Sequence, residues 1–329
     1  MNYIVVGGAG FIGSNMVHKL ISEETGKVYI YDNFSSGKKD YLSDVISNNR
    51  LVIIKGDIKD KNAIIRAFSN DIDIVYSFAS NPDIAKAIRE PDIDFWEGTY
   101  LINNVLEAMR VNGLKKLLYA SGSGIYGDVG ETETDENFSP LRPVSTYGAS
   151  KLGCEALICS YCHMFDMQAA VFRFANVVGL NQTHGVGLDF VNRLKENPAE
   201  LKILGDGTQS KSYIYVDDVL EAVRTVEKTN IRSNNCDSGV TGSNSTNGSS
   251  YFEPYNVATL DSITVTEIAD IIAKLMNLNN VEYKYTGGNR GWKGDVPIVR
   301  LNSQKIRSLG WRNMYTSAQA IEKSIKTML

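Results

Sequence analysis

The stretch Tyr3-Ile4-Val5-Val6-Gly7-Gly8-Ala9-Gly10-Phe11-Ile12-Gly13 decides the fold. Its opening apolar run reads as a buried strand, and the pattern from Phe11 to Glu24 has the period of a helix. Between them, Gly7 permits a tight turn, Gly10 lets a pyrophosphate approach the main chain, and Gly13 lets the helix pack close to the sheet. The helix N-terminus faces the anion. A bare glycine pattern would be weak evidence. Here Asp32 closes the second apolar run, Val28 to Tyr31, about twenty residues further on, where a carboxylate takes the ribose hydroxyls of adenosine. An acid there repels a 2′-phosphate and favours NAD over NADP. Gly56-Asp57, after the third run, suits a contact to the adenine.

Working outward, short apolar runs alternate with helical patterns through the first half. Leu51 to Lys55, Ile72 to Phe78, Leu117 to Ala120 and Ala169 to Phe174 read as further buried strands. Helices are expected over Asn62 to Ser69 and Tyr100 to Asn112, the latter stopped by Gly113. This order predicts an α/β fold, a Rossmann-type doubly wound parallel sheet with helices on both faces. Beyond about residue 176 the pattern is mixed, which suggests a smaller, interleaved C-terminal α/β substrate lobe. Residues 1–175 are expected to bind the dinucleotide, with 214–250 returning to that domain. Residues 176–213 and 251–329 are expected to form the second lobe. An Asn-, Ser- and Gly-rich stretch near 232–251 reads as a flexible surface insertion.

Composition narrows the function classes. The 329 residues are 43% hydrophobic and 22% charged, ordinary for a globular protein, and the net charge of -4 offers no whole-chain positive field for nucleic acid or an anionic membrane. No apolar run is long enough to span a bilayer, and the N-terminus lacks the pattern of a signal peptide, so a cytoplasmic protein is expected. Four cysteines make no disulfide framework. Cys159 and Cys162 have CxxC spacing but no second pair or placed histidines; they read as helix cysteines, and no metal site is expected.

Tyr147-Gly148-Ala149-Ser150-Lys151 places a phenol and an ammonium at i and i+4, on one face of a helix. A nearby ammonium favours phenolate, so Tyr147 is expected to act as base, assisted by Lys151. It would take the proton of a substrate hydroxyl while hydride leaves the same carbon for NAD. The pair gains its force from sharing a chain with the nucleotide loop and with a serine-rich strand end, Ser121 to Ser123.

Taken together, Gly7 to Gly13, Asp32-Asn33-Phe34-Ser35-Ser36-Gly37, Ile125-Tyr126-Gly127, Tyr147 to Lys151, Arg173-Phe174-Ala175-Asn176 and Gly294-Asp295 resemble the extended short-chain dehydrogenase/reductase family. Within it the chain most resembles the nucleotide-sugar epimerases of the UDP-glucose (UDP-galactose) 4-epimerase type. The resemblance implies NAD as cofactor, a nucleotide sugar as substrate with a UDP-sugar foremost, and a homodimer through Tyr100 to Asn112 and the helix carrying Tyr147. It also implies a cofactor wall that includes Asn33, Ser35, Ser36 and Gly37, then Asp57 and Ile58, and then Phe78, Ala79 and Ser80.

For the substrate, the resemblance implies Ser123, Tyr126, Asn176, His184 and Leu188, with the base recognised by main-chain groups around Lys202 to Leu204, Ile203 among them. Asn176 would touch the phosphates and Asp295 the nucleotide ribose, with Tyr213 nearby. Lys211 stands where the family has a phosphate-binding arginine, keeping the charge without the bidentate fork. A second arginine is displaced to Arg290. Val299, four residues after Asp295, occupies a position at which a large aromatic excludes N-acetylated sugars, so a roomier pocket is expected.

Family dehydratases carry an Asp-Glu pair where this chain has Ser123 and Gly124, and related decarboxylases keep the glutamate. Lacking both, the site is expected to oxidise and re-reduce without eliminating. The family's catalytic Ser or Thr falls at Gly122, so the hydroxyl is expected from Ser123 or Ser121. Rival readings stay open: epimerisation at another carbon, a reductase acting on a CDP-, GDP- or dTDP-sugar, or an NAD-binding protein whose weakened catalysis leaves a regulatory or binding role.

Overall fold

A computed structural model describes residues 1–68, 71–231 and 251–329. Seven strands form one wholly parallel sheet: β1 (Tyr3–Val6), β2 (Val28–Asp32), β3 (Leu51–Lys55), β4 (Ile74–Ser77), β5 (Lys116–Gly122), β6 (Gln168–Phe174) and β7 (Tyr251–Val257). Their order is β7-β6-β5-β4-β1-β2-β3. The first strand pairs on both sides, Tyr3 standing beside Val28 and beside Ile74.

A central parallel strand must be apolar on both faces, and the side chains of β1 show it. Tyr3 and Val5 join one buried cluster with Ile30, Tyr76 and Leu20; Ile4 and Val6 join another with Tyr31, Val75 and Val105. Helices α1 (Phe11–Glu23) and α6 (Val216–Val226) cover the first face. Helices α2 (Lys61–Ala67), α3 (Tyr100–Val111) and α4 (Thr146–Phe165) cover the second. The doubly wound sheet expected from the sequence is therefore present. Its strand order reverses between β1 and β4, which opens a crevice at their C-terminal ends.

One boundary is corrected. The sequence places residues from 251 onward in the second lobe, but Tyr251–Val257 lies against Gln168–Phe174 as the seventh strand of the main sheet. Its sequence, Tyr-Phe-Glu-Pro-Tyr-Asn-Val, is half polar, because an edge strand needs no continuous apolar run. The remaining elements are α5 (Val186–Glu196), α7 (Val265–Leu275), α8 (Gln304–Ser308) and α9 (Ser317–Lys326), with α5, α7 and α9 packed on one another. Short strand pairs join distant segments: Glu200–Ile203 with Glu282–Tyr285, and Ser210–Lys211 with Ile263–Thr264. They carry Lys211 and Leu204 to the mouth of the crevice. The expected insertion, apart from Tyr251, lies outside the described residues. Among the described residues, no helix is long and apolar enough to cross a membrane.

Candidate active site

The crevice is a cleft of about 820 Å³ running from the loop after β1 to the segment around Asp295. Gly7 has φ +77°, and a Cβ there would lie 2.7 Å from the Ala79 nitrogen, so the loops after β1 and β4 touch only because Gly7 lacks a side chain. At Gly13 a Cβ would lie 2.0 Å from the Gly7 carbonyl oxygen, which fixes how closely α1 approaches the turn. Gly10 differs: a Cβ would meet only that carbonyl, at 3.3 Å, and would otherwise occupy the cleft that Gly10 lines. No side chain caps α1. An uncapped helix start behind a cradle that a single Cβ would fill suits the pyrophosphate of a dinucleotide.

Asp32 is 7% exposed and lines the cleft. Its Oδ2 accepts from the Ala9 N–H at 2.9 Å and its Oδ1 from the Phe34 N–H at 2.7 Å. The carboxylate thus joins the glycine turn to the loop after β2 while standing at one end of the cradle. Asn33, Ser35, Ser36, Asp57 and Ile58 surround that end, and Phe78, Ala79 and Ser80 form the wall after β4. Gly37 does not reach the wall. It lies beneath the glycine turn, where a Cβ would come within 2.8 Å of Ala9, and Lys38 donates its N–H to the Ala9 carbonyl.

Tyr147 and Lys151 both line the cleft from the first turns of α4. Ser145 caps that helix by accepting from the Gly148 N–H at 3.1 Å. Lys151 is 3% exposed; its Nζ donates to the Ala120 carbonyl at 2.8 Å and to the Tyr119 hydroxyl at 3.4 Å. The ammonium stands 5.5 Å from the Tyr147 ring centre. It is held by β5 and presented to the phenol.

The two serines part company. The Ser121 hydroxyl donates to Glu155 Oε1 at 2.6 Å, inside a buried ion pair of Glu155 with Arg173. Ser123 lines the cleft, and its hydroxyl has no hydrogen-bond partner among the described residues. It is the hydroxyl free to meet a ligand.

At the far end, Lys211 and Asp295 form an ion pair of 2.6 Å on the cleft wall, beside Asn176, Tyr213 and Val299. Tyr213 stands beside Asn176 on the neighbouring strand, and burial pushes its phenol well up. His184 is exposed at the rim.

Four expected substrate contacts lie elsewhere. Tyr126 is buried off the wall, its hydroxyl accepting from Arg173 at 2.9 Å and donating to Asn256 at 2.7 Å. Leu188 follows the cleft-lining Gly187 and precedes Asp189, but its own position on the helical wheel points the other way. Ile203 is wholly buried, while Leu204, the residue after that strand, lines the cleft. Arg290 is spent on an ion pair with Asp128 and a 2.6 Å bond to the Asp295 carbonyl.

Asn81, Glu97, Gln209 and Trp292 line the cleft without having been anticipated. Asn81 follows the named wall directly and Trp292 sits between Arg290 and Asp295, so both were within reach. Glu97 arrives from a π-helical turn, Phe95–Thr99, that no periodicity announces.

The family model for the NAD dependent epimerase/dehydratase family matches residues 3–235. The chain belongs to that family. It is an enzyme that uses NAD, and the residues of its cradle fit the cofactor. A solved UDP-galactose 4-epimerase is 32% identical, with a TM-score of 0.84, covering 100% of this chain and 98% of that one. The UDP-glucose 4-epimerase of Thermotoga maritima, solved with UDP-glucose, is 28% identical with a TM-score of 0.83 and the same coverage. The human dTDP-D-glucose 4,6-dehydratase is likewise 28% identical, over 98% of this chain and 88% of its own length. Overall likeness therefore does not separate epimerisation from dehydration; the site must.

Proposed function

We propose that this enzyme is a nucleotide-sugar 4-epimerase acting on UDP-hexoses, with N-acetylated sugars admitted. The supporting observation is the cleft wall beside Tyr147, formed by Ser121, Gly122, Ser123 and Gly124. Eliminating water from a sugar needs a further acid and base at the neighbouring carbons. This stretch offers hydroxyls and main chain, and no carboxylate.

Bound in the cradle, NAD supplies a reversible two-electron acceptor for the sugar's C4. The chain supplies the rest. Tyr147 takes the proton of the C4 hydroxyl, and Lys151, fixed by Ala120, stands beside the phenol. Ser123 donates to the same sugar oxygen as it becomes a carbonyl. Lys211 leaves Asp295 to meet the diphosphate, which frees Asp295 for the ribose. In the same reading the enzyme is a homodimer through α3 and α4, on which apolar Val111 and Met164 remain exposed.

The test is a proton NMR time course with UDP-glucose, UDP-galactose, UDP-GlcNAc and UDP-GalNAc, without added NAD. Inversion at C4 is expected, and Tyr147→Phe should lower turnover by at least about a hundredfold while nucleotide-sugar affinity persists. Formation of a 4-keto-6-deoxy sugar, or full turnover by Tyr147→Phe, would overturn the reading.

A further inference from the structure

Asp94 lies in the segment between β4 and α3, outside the cleft wall, and is 2% exposed. Its carboxylate spans two elements. Oδ1 accepts from the Asn81 amide at 2.9 Å, in the loop after β4, and Oδ2 accepts from the Thr146 hydroxyl at 2.6 Å, at the start of α4. Its main-chain carbonyl accepts from the Ser150 hydroxyl at 2.6 Å. Thr146 and Ser150 immediately precede Tyr147 and Lys151, so one buried residue grips the helix at both members of the pair.

The other contacts leave this arrangement little freedom. Asn81 is fixed in turn: its Oδ1 accepts from the Asp83 N–H at 3.0 Å, and its amide donates to the Asp83 carbonyl at 2.9 Å. Thr99 approaches Ser150 from the far side, hydroxyl to hydroxyl at 2.9 Å. A Cβ on Gly98 would lie 2.3 Å from the Ser150 hydroxyl, so the segment can come this close only with glycine there. A buried carboxylate stripped of water persists only where donors replace it, and here both donors belong to segments flanking the cleft.

We infer that Asp94 is a positioning residue: its carboxylate sets the distance between the loop of residues 78–81 and the first turn of α4, and so places the Tyr147 phenol relative to the cofactor wall. The inference rests on Tyr147 being the base. A shift of about 1 Å in a reacting group can cost a hundredfold in rate without altering binding. Neither Asp94 nor Thr146 lines the cleft, so KM for the nucleotide sugar should change little when the clamp is cut.

The experiment compares wild type with Thr146→Val, Thr146→Ser, Asp94→Asn and Tyr147→Phe, all as NAD-loaded protein. Thr146→Val removes the bridging hydroxyl and keeps the volume; Thr146→Ser restores it. Turnover of Thr146→Val should fall roughly ten- to a hundredfold with KM for the nucleotide sugar within about twofold, and Thr146→Ser should recover most of it. The readout independent of turnover is hydrogen–deuterium exchange. Thr146→Val and Asp94→Asn should each speed exchange in the 78–84 loop as well as at the start of α4, because the carboxylate couples them. Faster exchange confined to α4, or turnover within about twofold of wild type in Thr146→Val while Tyr147→Phe is inactive, would overturn the clamp. If Tyr147→Phe is itself active, the base assignment has failed; the exchange data still report whether the carboxylate couples the two segments.

Discussion

Gly122 faces Tyr147: a Cβ built on Gly122 would stand 4.0 Å from the Tyr147 Cε1, with no other atom that near. Gly122 is extended, at φ -158°, a conformation open to any residue. The place beside the phenol is therefore empty, not blocked, and Ser123 supplies the free hydroxyl on that wall. Ser123→Ala should lower kcat about a hundredfold with KM little changed. Adding Gly122→Ser to that variant should return most of the loss, because the new hydroxyl enters open space next to Tyr147. Steady-state kinetics of the three proteins decides it; a Ser123→Ala variant as active as wild type removes Ser123 from the chemistry.

Ser121 predicts a different kind of loss. Its hydroxyl donates to Glu155, which is paired with Arg173 by contacts of 2.8 and 3.2 Å, both side chains almost wholly buried. Removing one partner of a buried pair strands the other charge, so Glu155→Gln should destabilise the fold by about 3–5 kcal/mol. Ser121→Ala forfeits one hydrogen bond to a charged group, about 1–3 kcal/mol. Urea unfolding should show both losses, while kcat per folded Ser121→Ala molecule stays close to wild type. A large fall in kcat at unchanged stability would return Ser121 to the active site.

This contrast also shows where sequence reasoning stops. The cradle, Asp32 and the Tyr147–Lys151 pair were legible because local backbone requirements and helical spacing set them within short stretches. Ser121 and Ser123 have the same side chain two residues apart, and only the Glu155 carboxylate arriving from α4 separates them. Tyr126 and Arg290 failed for the same reason. Each is claimed by a partner distant in sequence, Asn256 and Asp128 respectively, and long-range pairing leaves no periodic trace. The place of Tyr251–Val257 in the main sheet left no mark in the sequence, because an edge strand can carry Glu253 and Pro254 without betraying a sheet.

Acid should loosen the contact between α3 and α4. Hydrogen bonds from Arg110, then from Tyr161 and Lys61, hold the Glu107 carboxyl down to about 2, against an ordinary 4.5. Tyr161 reaches it from α4 at 2.8 Å. A depressed folded value means that the unfolded chain binds the proton more readily. The stabilisation is thus complete above about 4.5 and is lost as pH falls towards about 2. Glu107→Gln should melt below wild type at neutral pH, and the gap should close across that window. Melting curves that stay parallel down to the acid end would exclude this contribution.

Val299 tests the proposed sugar pocket, because its backbone is pinned while its side chain is free to vary. The Val299 N–H donates to the Ser210 carbonyl at 3.2 Å, and the neighbouring Arg300 guanidinium donates to the same carbonyl at 2.9 Å. A larger residue at 299 therefore cannot back away with the chain; its bulk must enter the cleft that Val299 lines. Val299→Tyr should subtract the volume needed by an N-acetyl group and spare a plain hexose. Clashes in a packed pocket cost roughly 1–3 kcal/mol, so kcat/KM for UDP-GlcNAc should fall at least about tenfold relative to UDP-glucose. The ratio of the two constants is the quantity to measure, since general damage lowers both alike. An unchanged ratio would mean that the acetyl group does not meet residue 299, and the size limit would then have to lie on another wall of the cleft.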